Sequence, residues 1–332
     1  MTHDPGRFDS AVTRRAALRT LGLATLGAAC PAAAAAAPRP AATVASPAGR
    51  DVSAPAREDF ELAEVLRLAS VPSFTLARVQ GTRITTQAVG AQRNGESVPV
   101  AADTVYAAAS LTKAVFAYTF LSFVQDGLVS LDRPVRDYLA LPNPDDPRGG
   151  AITARHLLSH TSGWRNWRNS ATTPLVADFE PGARWSYAGE GFFFLQRVLG
   201  TLTGRSTSTL LRERVFTPLG MTRSSLAPLA ELDVNRAVGH DGRGTPQTPF
   251  GRATMLELRR AMSEAGRSLE TVGASQCAWQ WGDNPGYKSY FWADPEREQA
   301  MVVFTNGDRG ARVYERVIRS VTGDDRAGFL WA

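Results

Sequence analysis

AASLTKAVFAYTF, residues 108–120, holds one of only two lysines in a chain of 332 residues with 37 Lys plus Arg; the other is Lys288. Every other basic side chain is an arginine. A guanidinium stays charged in a protein, whereas an ammonium taken out of water can be driven to the neutral amine. A lysine that escapes so strong a bias points to a need for a base. From Ser110 onward Leu111, Ala114, Val115, Tyr118, Leu121 and Val124 fall at helical spacing, which predicts a largely buried helix with Ser110 at its start. A separation of three residues puts Ser110 and Lys113 on one face, a turn apart. A desolvated amine beside a hydroxyl can activate it as a nucleophile, and the free N–H groups of a helix start can stabilise an oxyanion. The plainer alternative makes Ser110 a helix cap and Lys113 a solvated surface residue; the apolar surroundings argue against it.

On either side of this helix the patterning changes. Glu61–Ser70 reads as a helix with Leu62, Val65 and Leu66 on one face. FTLARV and RITTQAV, broken at Gly81, read as a hairpin within Ser73–Gly90. Helical signals dominate from Ser110 to about Met262, with turn-rich interruptions such as LPNPDDPRGG. Strand character returns in YKSYFWAD and QAMVVFTN, joined through Pro295-Glu296-Arg297, and a helix over Ala311–Val321 follows. Strands, a helical block, strands and a final helix predict an α/β fold: an antiparallel sheet flanked by helices, built from both ends of the chain, with an inserted all-α region.

Further motifs sharpen this. AITARHLLSHTSGW (151–164), WSYAGEGFFFL (185–195), WGDNPGYK (281–288), FTPLGM (216–221) and LDRPV (131–135) accompany the Ser110-x-x-Lys113 pair. With these the chain resembles the serine β-lactamase-like family, which includes class C β-lactamases, DD-peptidases and the related family VIII-type esterases. The resemblance runs over roughly residues 58–322. It implies a β-lactamase/transpeptidase-like fold, Ser110 as the acyl-accepting nucleophile, Lys113 as its base or proton relay, and Tyr187 sharing the proton and passing it to the leaving group. It also implies a strand element at Gln280-Trp281-Gly282, with the backbone N–H of Asp283 joining that of Ser110 in an oxyanion hole. Trp281 is either core packing or a wall of the acyl pocket.

The chain departs from the family pattern in three places. The Tyr-x-Asn motif reads Tyr187-Ala188-Gly189, and so lacks an amide that contacts substrate. Gln280 replaces a cation that would pair with a substrate carboxylate, and a glutamine donates a hydrogen bond without neutralising charge. The stretch between the tyrosine motif and Gln280, including GTPQTPFGRATMLELRRAMSEAGRSLE, is shorter than the family pattern. These changes favour a neutral ester or amide substrate. The alternatives are a DD-peptidase or β-lactamase in the same fold, and a non-catalytic binding protein that retains the fold.

Composition closes off other classes. A hydrophobic content of 43% is enough to build a substantial core. The net charge is +5, but residues 1–40 hold five arginines and two aspartates, a net of +3, which leaves +2 on the rest. That remainder has no basic cluster interleaved with aromatics, so no nucleic-acid partner is expected. Thr13-Arg14-Arg15, the apolar run Leu21–Cys30 and an alanine-rich end read as a twin-arginine signal peptide over residues 1–37. An Ala/Pro linker (38–57) and the hydrolase domain (58–332) follow. A periplasmic or secreted protein is therefore expected, with the twin-arginine export machinery as the precursor's partner. Gly27 stands where a lipoprotein signal would carry a larger aliphatic residue, which disfavours anchoring at Cys30. Cys277 is the only other cysteine, so no intramolecular disulfide within the mature domain is expected. His156 and His160 are four apart, but no glutamate stands beside His156 as a hydrolytic zinc motif requires. His-Thr-Ser-Gly reads instead as a turn, and neither metal nor organic cofactor is expected.

Overall fold

The computed structural model describes residues 55–168, 170, 172–227, 229–247, 269–272 and 275–322. The segment expected to be a signal peptide (1–37), most of the expected linker (38–57), nearly all of the shortened stretch after Thr245 and the last ten residues lie outside them. The described chain runs α1 (Pro55–Ala69), β1 (Ser73–Gln80), β2 (Arg83–Gly90), α2 (Leu111–Gln125), α3 (Ala154–Leu158), α4 (Gly189–Thr203), α5 (Thr207–Leu211) and α6 (Ala230–Asp233). Then come β3 (Leu269–Val272), β4 (Ser275–Asn284), β5 (Tyr287–Asp294), β6 (Gln299–Thr305) and α7 (Gly310–Thr322).

All six strands join one antiparallel sheet in the order β2-β1-β6-β5-β4-β3. The β1–β6 pair, from Phe74 opposite Thr305 to Gln80 opposite Gln299, stitches the N-terminal hairpin to the C-terminal meander. The sheet is thus assembled from both ends of the chain, as the strand pattern predicts. The β1–β2 and β5–β6 hairpins turn where the sequence breaks the pattern, at Gly81 and at Pro295-Glu296-Arg297. The N-terminal helix is described from Pro55, earlier than the Glu61 its apolar face suggests.

Two apolar cores lie on either side of the sheet. Leu62 and Leu66 of α1, Val313 and Ile318 of α7, and Trp279, Tyr290 and Val303 of the sheet form one. The other fills the helical block, with Phe116 and Phe120 of α2, Leu157 of α3, and Leu195 and Leu199 of α4. Helix α2 lies between the sheet and this block, touching β4, β5, α4 and α5. That placement explains why the sequence 108–120 is apolar almost all round: a helix enclosed on most sides has no solvent face to keep polar. Among the described residues no helix is long and apolar enough to cross a membrane.

Candidate active site

The chain enters α2 through a tight turn in which Ala109 takes φ +48°, a left-handed conformation that costs a residue with a Cβ and is tolerated where surrounding packing enforces it. Ser110 follows at the cap position, yet its side chain makes no capping hydrogen bond. Its buried Oγ instead accepts from Lys113 Nζ at 2.9 Å and from Tyr187 OH at 2.8 Å. The capping alternative therefore fails: the hydroxyl is committed to an amine and a phenol. Lys113 is not a solvated surface lysine either. Its half-buried Nζ lies 4.9 Å from the Tyr187 ring centroid and 5.9 Å from that of Phe192, both within cation–π range. Among the described residues the Ser110 amide has no hydrogen-bond partner, which leaves it available to a ligand.

Tyr187 sits in the extended segment before α4, and His160 fixes that segment. The carbonyl of His160 accepts from Ser186 N at 2.7 Å, and its Nδ1 accepts from Ala188 N at 3.0 Å. Its ring lies 4.4 Å from the Tyr187 ring. His160 ends α3 with φ +57°, so the turn expected at His-Thr-Ser-Gly is present. The sequence reading missed that this turn residue also supports the tyrosine. Burial, and next the nearby Lys113 charge, push the imidazole down to about 3, so the ring is neutral when folded. In the unfolded chain it titrates near 6.5. A lowered folded value means stability that is complete above about pH 6.5 and lost as pH falls through that window toward about 3. At about 1.4 kcal/mol per tenfold change in proton affinity, the contribution reaches roughly 5 kcal/mol. His156 and His240, also lowered by burial, act in the same direction. Urea unfolding midpoints should therefore drop between pH 7 and pH 4. His160→Asn, which suits a left-handed backbone and keeps an acceptor, should flatten that drop; an equal acid limb in both proteins contradicts the assignment.

Strand β4 closes the site. Gly282 lies against the turn before Ser110 so closely that a Cβ there would stand 2.5 Å from Ala108 O and 2.2 Å from Ser289 Oγ. Gly282→Ala must push the strand off the Ser110 turn, because the carbonyl it meets belongs to the backbone. We expect kcat/KM to fall on the order of a hundredfold, with about 1–3 kcal/mol lost in stability, read by ester turnover and thermal melting. The two-residue turn Pro285-Gly286 follows, with Gly286 at φ +78°. It closes on the Asn284–Tyr287 pair, so alternation makes Asp283–Lys288 the non-hydrogen-bonded pair and turns the Asp283 amide away from β5. On that other edge β3 reaches only Ser275–Ala278 among the described residues. Among the described residues no strand pairs with the edge carrying the Asp283 amide.

Of the two readings of Trp281, core packing holds and the substrate-side one is corrected. Successive side chains on a strand alternate faces, so Trp281 stands opposite to Gly282 and Ser110. It packs 5.1 Å from Trp279 in the core between sheet and α1/α7, and is not a wall beside the serine.

A family model described as Beta-lactamase matches residues 69–272, a span that includes Ser110, Lys113 and Tyr187. The chain belongs to the beta-lactamase family. It is 30% identical over 218 residues to penicillin-binding protein 4 of Amycolatopsis lactamdurans, covering 61% of this chain and 57% of that protein. It is 31% identical over 177 residues to the lovastatin esterase of Penicillium rubens, covering 42% and 44%. The chain spans about half the length of the curated relatives it matches. In fold it is similar to the octameric penicillin-binding protein homologue from Pyrococcus abyssi, with a TM-score of 0.65 at 18% identity over 81% of this chain and 77% of that one. Members of this beta-lactamase family include serine esterases and DD-peptidases.

Against the beta-lactamase family pattern, both substitutions have structural consequences. At Gly189 a Cβ would stand 2.3 Å from the Trp167 ring, so the indole occupies the volume a side chain there would need. Asn166 Oδ1 accepts from Gly189 N at 2.9 Å, turning an asparagine amide onto the helix start rather than outward from position 189. Gln280 shares the face of Gly282, and its Nε2 donates to the Trp281 carbonyl at 2.9 Å. Lys288 does not supply the missing cation. It lies beside Trp281's face of the sheet, bound to Asp283.

Proposed function

We propose that this protein is an exported serine hydrolase that cleaves a neutral ester or amide through an acyl-enzyme on Ser110, with esters favoured. The observation that carries the reading is the Ser110 hydroxyl held by both Lys113 Nζ and Tyr187 OH, beside a helix-start amide that has no partner among the described residues. Ser110 Oγ attacks the carbonyl carbon and gives its proton to the Lys113–Tyr187 pair. The new Oγ–C bond forms as the carbonyl oxygen takes up negative charge, held by the amides of Ser110 and Asp283. The carbon–oxygen or carbon–nitrogen bond then breaks, and the stored proton goes to the departing alcohol or amine. Water attacks the acyl-serine by the same route, releasing the acid and restoring the hydroxyl. None of these steps draws on a metal or cofactor.

The neutral-substrate reading rests on Gln280. A carboxylate on the substrate, as β-lactams and peptide C-termini carry, finds a hydrogen-bond donor there and no cation. The similarity to an esterase supports this choice, and the similarity to a penicillin-binding protein supplies the rival. Turnover of p-nitrophenyl acetate, a chromogenic cephalosporin and a D-alanyl-D-alanine peptide, measured side by side, separates the two. The proposal expects the ester to lead by at least about a hundredfold in kcat/KM. Comparable or faster cleavage of the cephalosporin or peptide overturns it in favour of the rival, and no turnover of any of them favours a binding protein. Localisation of the full-length chain in a host with and without functional twin-arginine export tests the signal peptide.

A further inference from the structure

The second lysine also escaped the arginine bias, and the catalytic scheme leaves it unused. Lys288 Nζ lies 2.5 Å from Asp283 Oδ1 and 3.5 Å from Asp308 Oδ1, with its side chain only 14% exposed. The same Asp308 oxygen accepts from Gly286 N at 2.6 Å, inside the turn that joins β4 to β5. Asp308 is itself anchored, since its amide donates to the His240 carbonyl at 3.0 Å. His240 is anchored in turn: its Nε2 accepts from Asn94 N, so its Nδ1 donates to the Asn306 carbonyl at 2.8 Å. The stem of Lys288 passes the start of α7 where Gly310 leaves room, because a Cβ there would stand 2.9 Å from Lys288 Cβ.

We infer that Lys288 is a positioning residue for the oxyanion hole: by clamping Asp283 and Asp308 it fixes the hairpin tip and with it the Asp283 amide. This rests on the acyl-enzyme reading above. The strand edge bearing that amide has no neighbour to hold it over residues 279–284 among the described residues. The turn and the ion cluster behind it bear directly on that amide: Lys288 holds Asp283, and Asp308 holds Gly286. The ammonium touches no substrate, because Asp283 and Lys288 point their side chains to the face opposite Gly282. A donor displaced by about 1 Å can cost on the order of a hundredfold in rate.

The test compares an oxygen ester with the matching thionoester, whose developing charge sits on sulfur, a weak hydrogen-bond acceptor. Lys288→Met should lower kcat on the oxygen ester by roughly tenfold to a hundredfold, with KM changed by less than about twofold, and lower thionoester turnover by less than about threefold. A general loss of folded protein would reduce both substrates alike. Asp308→Asn, which keeps an acceptor for Gly286 but loses the charge, should show the same selective defect and serves if the methionine variant does not fold. An unchanged ester-to-thionoester ratio in a folded variant overturns the inference. If Ser110→Ala abolishes wild-type turnover while that ratio stays unchanged, only the role of Lys288 falls; if Ser110→Ala is active, the acyl-enzyme reading itself falls.

Discussion

Ser110→Ala is expected to lose ester turnover by at least about a thousandfold while keeping its fold, because the lost hydroxyl is the bond-forming atom. The side chain caps no helix end, so its removal takes away no backbone hydrogen bond. It does remove the group that fills the gap between Lys113 and Tyr187, which approach it at 2.9 and 2.8 Å. Sites of this kind trade stability for function, so thermal melting should be unchanged or slightly raised. Labelling by a fluorophosphonate probe should vanish together with turnover. A folded Ser110→Ala protein that still turns over esters, or still takes the label, would place the chemistry on another residue.

Lys113→Arg is expected to cost on the order of a hundredfold to ten-thousandfold in kcat/KM, although charge and approximate length are kept. An arginine can donate to Ser110 but cannot accept its proton. The planar guanidinium must also fit where Nζ now lies between the Tyr187 and Phe192 rings, which displaces the phenol from Ser110. In a chain that otherwise takes arginine almost everywhere, this substitution asks directly why position 113 is an exception. The measurement is the rate of the first turnover with p-nitrophenyl acetate, followed by the release of p-nitrophenolate. Activity within about tenfold of the wild type would mean that charge alone is needed and that Lys113 is no base.

The fold was legible because its signals are local. The aromatic and β-branched runs in YKSYFWAD and QAMVVFTN, the breaks at Gly81 and Pro295, and the apolar helix after Ser110 each require only neighbouring residues. The Ser110–Lys113 pairing was legible for the same reason, since helical geometry alone brings residues three apart onto one face. Tyr187 was not accessible to geometry. It comes from 77 residues downstream, and only the family motif pointed to it. His160 shows what motif reading leaves out: its sequence signals a turn, while its support of Tyr187 arises from ring packing that no spacing encodes. Trp281 was left between two readings because a strand motif gives order along the chain but not which parity faces the serine. Gly282 held that information, since a glycine mid-strand marks a close backbone approach, here to Ala108. Lys288 stood out in the composition, yet its partners Asp283 and Asp308 become visible only with the β4–β5 register.

If Ser110 carries the acyl group between two half-reactions, brief mixing with p-nitrophenyl acetate, acid quenching, intact-mass analysis and peptide mapping should catch it there. The expected result is the mass gain of a single acetyl group, mapped to Ser110 and absent after longer incubation as water releases it. Steady turnover with no adduct at any time, or an adduct that maps to a different residue, would contradict it.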